Sequence, residues 1–291
     1  MVGRVMIVAA TLIATVLMTN VGWAAVTLTG AGATFPQPIY NKWFHDFHAR
    51  NPNIQVNYQG IGSGGGIKAF KDGTVDFAGS DAPMTDAELA TLPGGRAFQM
   101  PTVGGAVAVA YNLPGFSKPL RLSRTSLVGI YMGTITRWND ARIRADNPGV
   151  ALPNRPVTVI HRSDGSGTTY LFTSYLSAVD ATWKSKVGAG KEVNWPVGKG
   201  GKGNPGVAGL VKQIPGAIGY MEVAYATQNR LPTAALKNRA GVFVKPTVAA
   251  TTAAIRGAIP RLKKDIRASI VNPSGRDAYP IAGLTYLIFY Q

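Results

Sequence analysis

The sequence predicts an α/β protein of two domains, and three observations carry that prediction. Apolar or β-branched runs of strand length alternate with segments of helical apolar spacing along most of the chain. Three of the strand-to-helix junctions repeat one glycine- and hydroxyl-rich turn. The 291 residues, 46% of them hydrophobic, suffice for one large or two medium cores. Strands alternating with helices predict a mostly parallel sheet covered on both faces. With 35 glycines and 19 prolines the chain is turn-rich without being low-complexity, and it shows no fixed-period repeat or heptad run.

Residues 1–25 read as a cleavable signal peptide. Arg4 supplies the basic start, Val5–Met18 is an apolar run too short for a comfortable span, and Gly22 with Ala24 marks the cleavage site. An uncleaved anchor is the alternative. No cysteine follows the run, which excludes a lipid-modified N-terminus, and the whole chain has none. Disulfides, zinc ribbons, iron–sulfur clusters and thiol nucleophiles are therefore excluded. The expected compartment is the bacterial periplasm.

The elements follow in order. "VTLTGAGATFP" reads as a strand ending in a glycine turn, and Gln37–Ala49 as a helix with Ile39, Tyr40, Trp43, Phe44 and Phe47 on one side. "NIQVNYQGIG" is a strand by alternation, "GGGIKAFKDG" a short helix closed by Asp72-Gly73, and "VDFAGSDAPM" a strand running into a loop. "AVAVAYNLPG" is a buried strand by its continuous apolar run. "VTVIHRSDGSG" leads through a glycine turn into the helix "TTYLFTSYLSAV", and "GAIGYMEVAYATQN" adds a strand and a helix. A loop near Pro101–Gly105 and a break near Asn272–Pro280 before the strand "LTYLIFY" predict domain I over 26–103 and 276–291, and domain II over 104–275.

The charge is +16, or +15 once Arg4 leaves with the leader (16 − 1), and such a field attracts anions. The basic residues are scattered, with small clusters at 198–203 and 261–267 and no nucleic-acid-binding signature, so a nucleic-acid partner is not expected. A small anion fits better. "GAGATFPQPIY", "GIGSGGGIKAF" and "DGSGTTYLF" each set glycines and a Ser or Thr before a helix, where free N–H groups and the helix dipole favour negative charge. Taken singly, each is more economically a turn with a hydroxyl cap. Three together, beside Arg162, favour anion binding, because a guanidinium grips two oxygens at once. Asp164, two residues on, is placed to hold that guanidinium or to cap the turn.

Other chemistries fail on the residues. A nucleotide loop needs G-x-x-x-x-G-K-S/T; "SDGSGTT" lacks the lysine, and Gly203 follows Lys202 where a hydroxyl should stand. A hydrolase elbow needs G-x-S-x-G, but Ile61 precedes Ser63 by two and Asp164 precedes Ser166 by two. His45 and His48 lack a carboxylate cluster for a metal, and His161 should point away from the Arg162 side of its strand. No metal, cofactor or catalytic residue is expected, and the Trp and Tyr residues read as packing.

Six ordered blocks then carry a resemblance: "TGAGATFPQPIYNKW", "VNYQGIGSGGG", "VDFAGSDAPM", "RSDGSGTTYLFTSYL", "GKGGKGNPGVAGLV" and "PGAIGYMEVAYA". They resemble the periplasmic phosphate-binding proteins of high-affinity phosphate ABC transporters. The resemblance implies a two-domain periplasmic-binding-protein-like fold of class II, closing about crossings near Gly104 and Tyr279 over one dehydrated phosphate. It implies delivery to the membrane permease and ATPase subunits of an ABC transporter, by a monomer. The phosphate ligands it implies are Thr34, Phe35, Ser63, Asp81, Arg162, Ser166, Gly167 and Thr168, with Asp164 supporting Arg162.

Asp81 has a physical rationale within that set. A carboxylate can only accept, so it suits mono- or dihydrogen phosphate, which donates, and is left unpaired by fully ionised sulfate. Its alternative is a turn cap before Pro83. The chain departs from the family at Gly64, where a second Ser is usual, which implies one lost peripheral hydrogen bond. It also stops at Gln291, where the family continues, which implies a shortened domain I or a truncated chain. Binding of another oxyanion (sulfate, molybdate or a phosphonate), a phosphatase-like activity, and association with anionic envelope polymers remain as alternative expectations.

Overall fold

A computed structural model describes residues 25–92 and 96–291. All of the expected leader except Ala25 lies outside the described residues. In chain order the first elements are β1 (Val26–Gly32), α1 (Gln37–Arg50), β2 (Ile54–Gly60), α2 (Ser63–Lys71), β3 (Phe77–Ser80), α3 (Asp86–Ala90) and β4 (Ala97–Tyr111). Then come β5 (Arg121–Leu122), α4 (Arg124–Tyr131), α5 (Ala141–Asp146), β6 (Thr158–Arg162), α6 (Gly167–Val179), α7 (Ala181–Lys186) and β7 (Lys199–Gly201). The last are α8 (Gly203–Gln213), β8 (Ala217–Glu222), α9 (Val223–Gln228), β9 (Ala235–Lys237), β10 (Phe243–Val244), α10 (Val248–Leu262) and β11 (Ala282–Tyr290).

Eight strands form one sheet in the order β2-β1-β3-β11-β4-β8-β6-β7, and β10-β9-β5 form a small second sheet. The expected mostly parallel arrangement holds only at the two ends. β1 pairs in parallel with β2 and β3, and β6 with β7 and β8. Across the middle, β3–β11, β11–β4 and β4–β8 are all antiparallel. The sheet is mixed because β11 runs against the β1–β3 end, β4 runs against the β6–β8 end, and the two pair antiparallel with each other to join them.

β4 also corrects the loop expected near Pro101–Gly105. That stretch lies inside the strand, and the register against β11 shifts there: Pro101 faces Tyr286 while Val103 faces Thr285. Thr102 is the extra residue of a β-bulge, the kind of place where a strand tolerates proline. The neighbouring glycines serve packing. A Cβ on Gly104 would lie 2.5 Å from the Ile255 side chain of α10, and one on Gly105 would lie 2.7 Å from the Phe35 ring.

Helix α1 meets the sheet along a narrower line than its spacing predicts. Tyr40 is buried against Tyr58, with ring centroids 5.3 Å apart, and Phe44 packs edge-on to Phe77 at 6.0 Å. Ile39, Trp43 and Phe47 stay exposed. The larger core lies on the other side of β4, where Tyr131, Trp138, Phe172, Trp183 and Tyr220 are fully buried. Among the described residues no helix is long and apolar enough to cross a membrane.

Candidate functional site

The three glycine-rich turns converge on one buried point. Ser63, the first residue of α2, uses its hydroxyl oxygen to accept the Gly167 N–H at 3.0 Å and the Asp81 N–H at 3.2 Å. Gly64 N–H donates to the Gly165 carbonyl at 2.8 Å, so residues from the two halves of the chain touch directly. Two glycines beside this contact are required. Gly62 stands at φ +86°, a region that favours glycine, and a Cβ on Gly167 would lie 2.5 Å from Ser63 Oγ and 2.6 Å from Asp81 Cβ. Gly64 has slightly more room: a Cβ there would lie 3.1 Å from Gly165 Cα, so serine at this position would press on the opposing backbone.

Arg162 ends β6 and is 4% exposed. Its Nε and Nη2 donate to Asp164 Oδ1 and Oδ2 at 2.8 and 2.5 Å, a two-point grip that fixes the plane of the fork. Its Nη1 reaches Thr168 Oγ1 at 3.4 Å, and its backbone N–H donates to the Tyr220 hydroxyl at 3.1 Å. Asp164 also accepts the Gly203 N–H at 2.9 Å. Burial pushes the Asp164 carboxyl up, but hydrogen bonds and charge from Arg162 outweigh it and hold the group below its ordinary value. Asp164 thus acts as the arginine's holder.

Asp81 follows β3 and is 2% exposed. Oδ1 accepts the Thr285 hydroxyl at 2.6 Å, and Oδ2 lies 3.4 Å from Thr168 Oγ1. Burial raises its pKa from 3.8 to about 7, against the lowering pull of Thr285, Arg162 and Thr168. Among the described residues no lysine or arginine hydrogen-bonds this carboxylate, which leaves it an acceptor poised near neutrality.

The other expected site residues gather here as well. Thr34 and Phe35, just after β1, are both 2% exposed, and the Thr34 carbonyl accepts the Tyr225 hydroxyl at 2.5 Å. Ser166 caps α6, its Oγ accepting the Thr169 N–H at 3.0 Å, so the plain capping reading is realised for that side chain. Its N–H donates to the Lys191 carbonyl at 2.9 Å, while the Lys191 ammonium meets Glu88 of α3 at 2.7 Å.

Several residues around the cage are absent from the sequence expectations. Asn204 of α8 donates to Thr34 Oγ1 from its backbone at 3.1 Å and from Nδ2 at 2.8 Å. Thr285 comes from β11, and Glu222 ends β8 with its Oε2 accepting the Ala224 N–H at 2.7 Å. Burial lifts Glu222 to about 7, eased by that N–H and aggravated by the charge of Asp81. Tyr220 and Tyr225 are not packing alone, since their hydroxyls hold Arg162 and Thr34. A local signal existed only for Asn204, in the glycine-rich block "GKGGKGNPG".

The histidines sit apart from this cage. His161 stacks on Trp195 with centroids 4.9 Å apart and bonds the Arg162 carbonyl, while His45 and His48 stand exposed on α1. Among the described residues no group of three or more metal-ligating side chains forms.

A mixed α/β chain whose two halves meet at a buried cage of hydroxyls, helix-start N–H groups and a braced arginine is a solute-binding protein by class. The family profile described as "PBP superfamily domain" matches residues 19–291. The phosphate-binding protein PstS of Xylella fastidiosa is 44% identical over 265 residues, covering 91% of this chain and 72% of that protein. Those of Haemophilus influenzae and Methanocaldococcus jannaschii are 45% and 42% identical, covering 78% and 73% of their lengths and 91% and 92% of this chain. Among solved structures, a high-affinity periplasmic phosphate-binding protein (PfluDING) bound with phosphate superposes with TM-score 0.69 at 27% identity, over 91% of this chain and 80% of that one. The chain belongs to the PstS family of phosphate-binding proteins.

Proposed function

We propose that the protein captures inorganic phosphate in the periplasm, as the mono- or dihydrogen ion, and hands it to the permease and ATPase subunits of an ABC-type transporter. Thr34, Phe35, Ser63, Asp81, Arg162, Ser166, Gly167 and Thr168 are its ligands, and Asp164 supports Arg162. The observation that carries this reading is the opposition of Arg162 and Asp81 in one buried cage. The arginine is held by Asp164, and the carboxylate keeps only hydroxyl partners. Donors alone would accept any oxyanion; a buried acceptor among them selects one that still bears a proton. Relatives that share the fold are named for phosphate binding, and nothing in the cage resembles an activated nucleophile, so the reading is capture without chemistry.

The lobes assigned to this cycle are 26–103 with 276–291, and 104–275. They would open and close about β4 near Gly104 and the segment near Tyr279, acting as a monomer. Calorimetric titration of the purified protein with phosphate and with sulfate tests the proposal. Saturable one-site phosphate binding with sulfate at least about a hundredfold weaker is expected. Equal affinity for the two ions, or no phosphate binding, overturns it.

A further inference from the structure

Asn204 is fully buried in the first turn of α8 and contacts Thr34, a residue 170 positions earlier in the chain. Its Oδ1 accepts the Glu222 N–H at 2.9 Å, which orients the amide. Nδ2 must then face the hydroxyls, and it lies 2.8 Å from Thr34 Oγ1 and 3.3 Å from Thr168 Oγ1. The Asn204 backbone N–H approaches Thr34 Oγ1 as well, at 3.1 Å. A hydroxyl has one proton and two lone pairs. At Thr34 both lone pairs already receive N–H donors from one residue, and only the proton is left to give.

From this geometry we infer that Asn204 is a positioning and specificity-determining residue: it compels the Thr34 hydroxyl to donate to the captured oxyanion. The inference rests on the phosphate reading and deepens it. A free hydroxyl can turn a lone pair inward, where it would repel an anion's oxygen. Asn204 removes that choice. The same amide approaches Thr168 Oγ1 beside Arg162 Nη1, which directs the Thr168 proton toward Asp81 Oδ2 at 3.4 Å. One buried amide thus sets the polarity of two hydroxyls, one on each side of the cage, and leaves Asp81 as its acceptor. Because Thr34 and Asn204 come from opposite sides, the contact exists only when those sides meet.

A double-mutant cycle read by phosphate calorimetry tests this, using the native chain, Asn204→Ala, Thr34→Val and the double variant, each with its melting temperature. Each single change is expected to weaken phosphate binding by about tenfold. With Thr34→Val already present, Asn204→Ala should cost less than about threefold, because the hydroxyl it acts through is gone. Equal losses in both backgrounds overturn the inference, since a merely structural Asn204 would weaken both alike. Should Asn204→Ala fail to fold, Asn204→Asp keeps the shape and the acceptor for the Glu222 N–H. Its carboxylate would take the Thr34 proton, and its charge repels the anion in both backgrounds and cancels from the comparison. A loss at least about tenfold greater with Thr34 present than with Thr34→Val supports the inference, and equal losses overturn it. If the native protein itself binds no phosphate, the functional reading falls and takes this inference with it. If the native protein binds and the cycle is additive, only the role of Asn204 falls.

Discussion

Replacing Asp81 by asparagine removes a buried charge while keeping the shape of the side chain and an oxygen for the Thr285 hydroxyl, now 2.6 Å away. The carboxyl titrates near 7 in the folded protein against 3.8 as its ordinary value. Between those values the ligand-free folded state binds more protons than the unfolded state, so stability falls as pH rises through the window. Between about pH 5 and about pH 7.5 the loss assigned to this one group is at most about 2.5 kcal/mol. Asp81→Asn abolishes that slope, so urea unfolding should find the variant gaining on the native protein by up to that amount over the same range. Glu222 titrates in the same window and is raised in part by the Asp81 charge, so the difference reads Asp81 together with its coupling to Glu222. Selectivity should change in step. Near pH 8 the ionised carboxylate leaves sulfate unpaired, whereas the asparagine amide can donate to it. The phosphate-to-sulfate preference should therefore narrow by about a hundredfold or more in the variant. In the native protein, sulfate binding should strengthen as pH falls through 7 and Asp81 acquires a proton to donate. Calorimetry at both pH values reads these quantities. An unchanged preference in Asp81→Asn, with native sulfate affinity flat across the range, would refute the assignment of Asp81 as the discriminating acceptor.

Two further perturbations follow from the contacts across the cleft. Lys191→Ala removes the 2.7 Å pair with Glu88 while leaving the Lys191 carbonyl that receives the Ser166 N–H. Because both side chains are partly exposed, phosphate release measured by stopped flow should quicken only about two- to fivefold at low salt, with the difference gone near 1 M. A change that persists at high salt would show that the pair is not acting as an ionic latch. Gly167→Ala places a methyl group 2.5 Å from Ser63 Oγ and should weaken phosphate binding about ten- to hundredfold by holding the walls apart. Native affinity in that variant would contradict the close approach of α6 to α2.

What was legible in the chain was local. The glycine turns, the order of strands and helices, and the Arg162–Asp164 pair all depend on residues within a few positions of one another, and each stands in the structure where the sequence put it. The failures share a cause. Pro101–Gly105 has the composition of a loop, yet β11, some 180 residues later, pairs with it, and its glycines answer to Ile255 and Phe35 instead of to a turn. The exposed half of the α1 apolar face is the same case, since periodicity shows which residues align but not how wide a surface receives them.

The sequence by itself determined that this is an α/β chain with three oxyanion-favouring turns and one arginine braced by its own neighbour. Only the tertiary structure decided that the turns share one point, that Thr285 rests on Asp81, and that Asn204 disposes the Thr34 hydroxyl. The partners in the last two contacts stand 204 and 170 residues apart. Hydrogen-bond polarity is a property of such pairs: a hydroxyl reads as donor or acceptor only once the groups filling its lone pairs are known, and here those groups come from the far side of the fold.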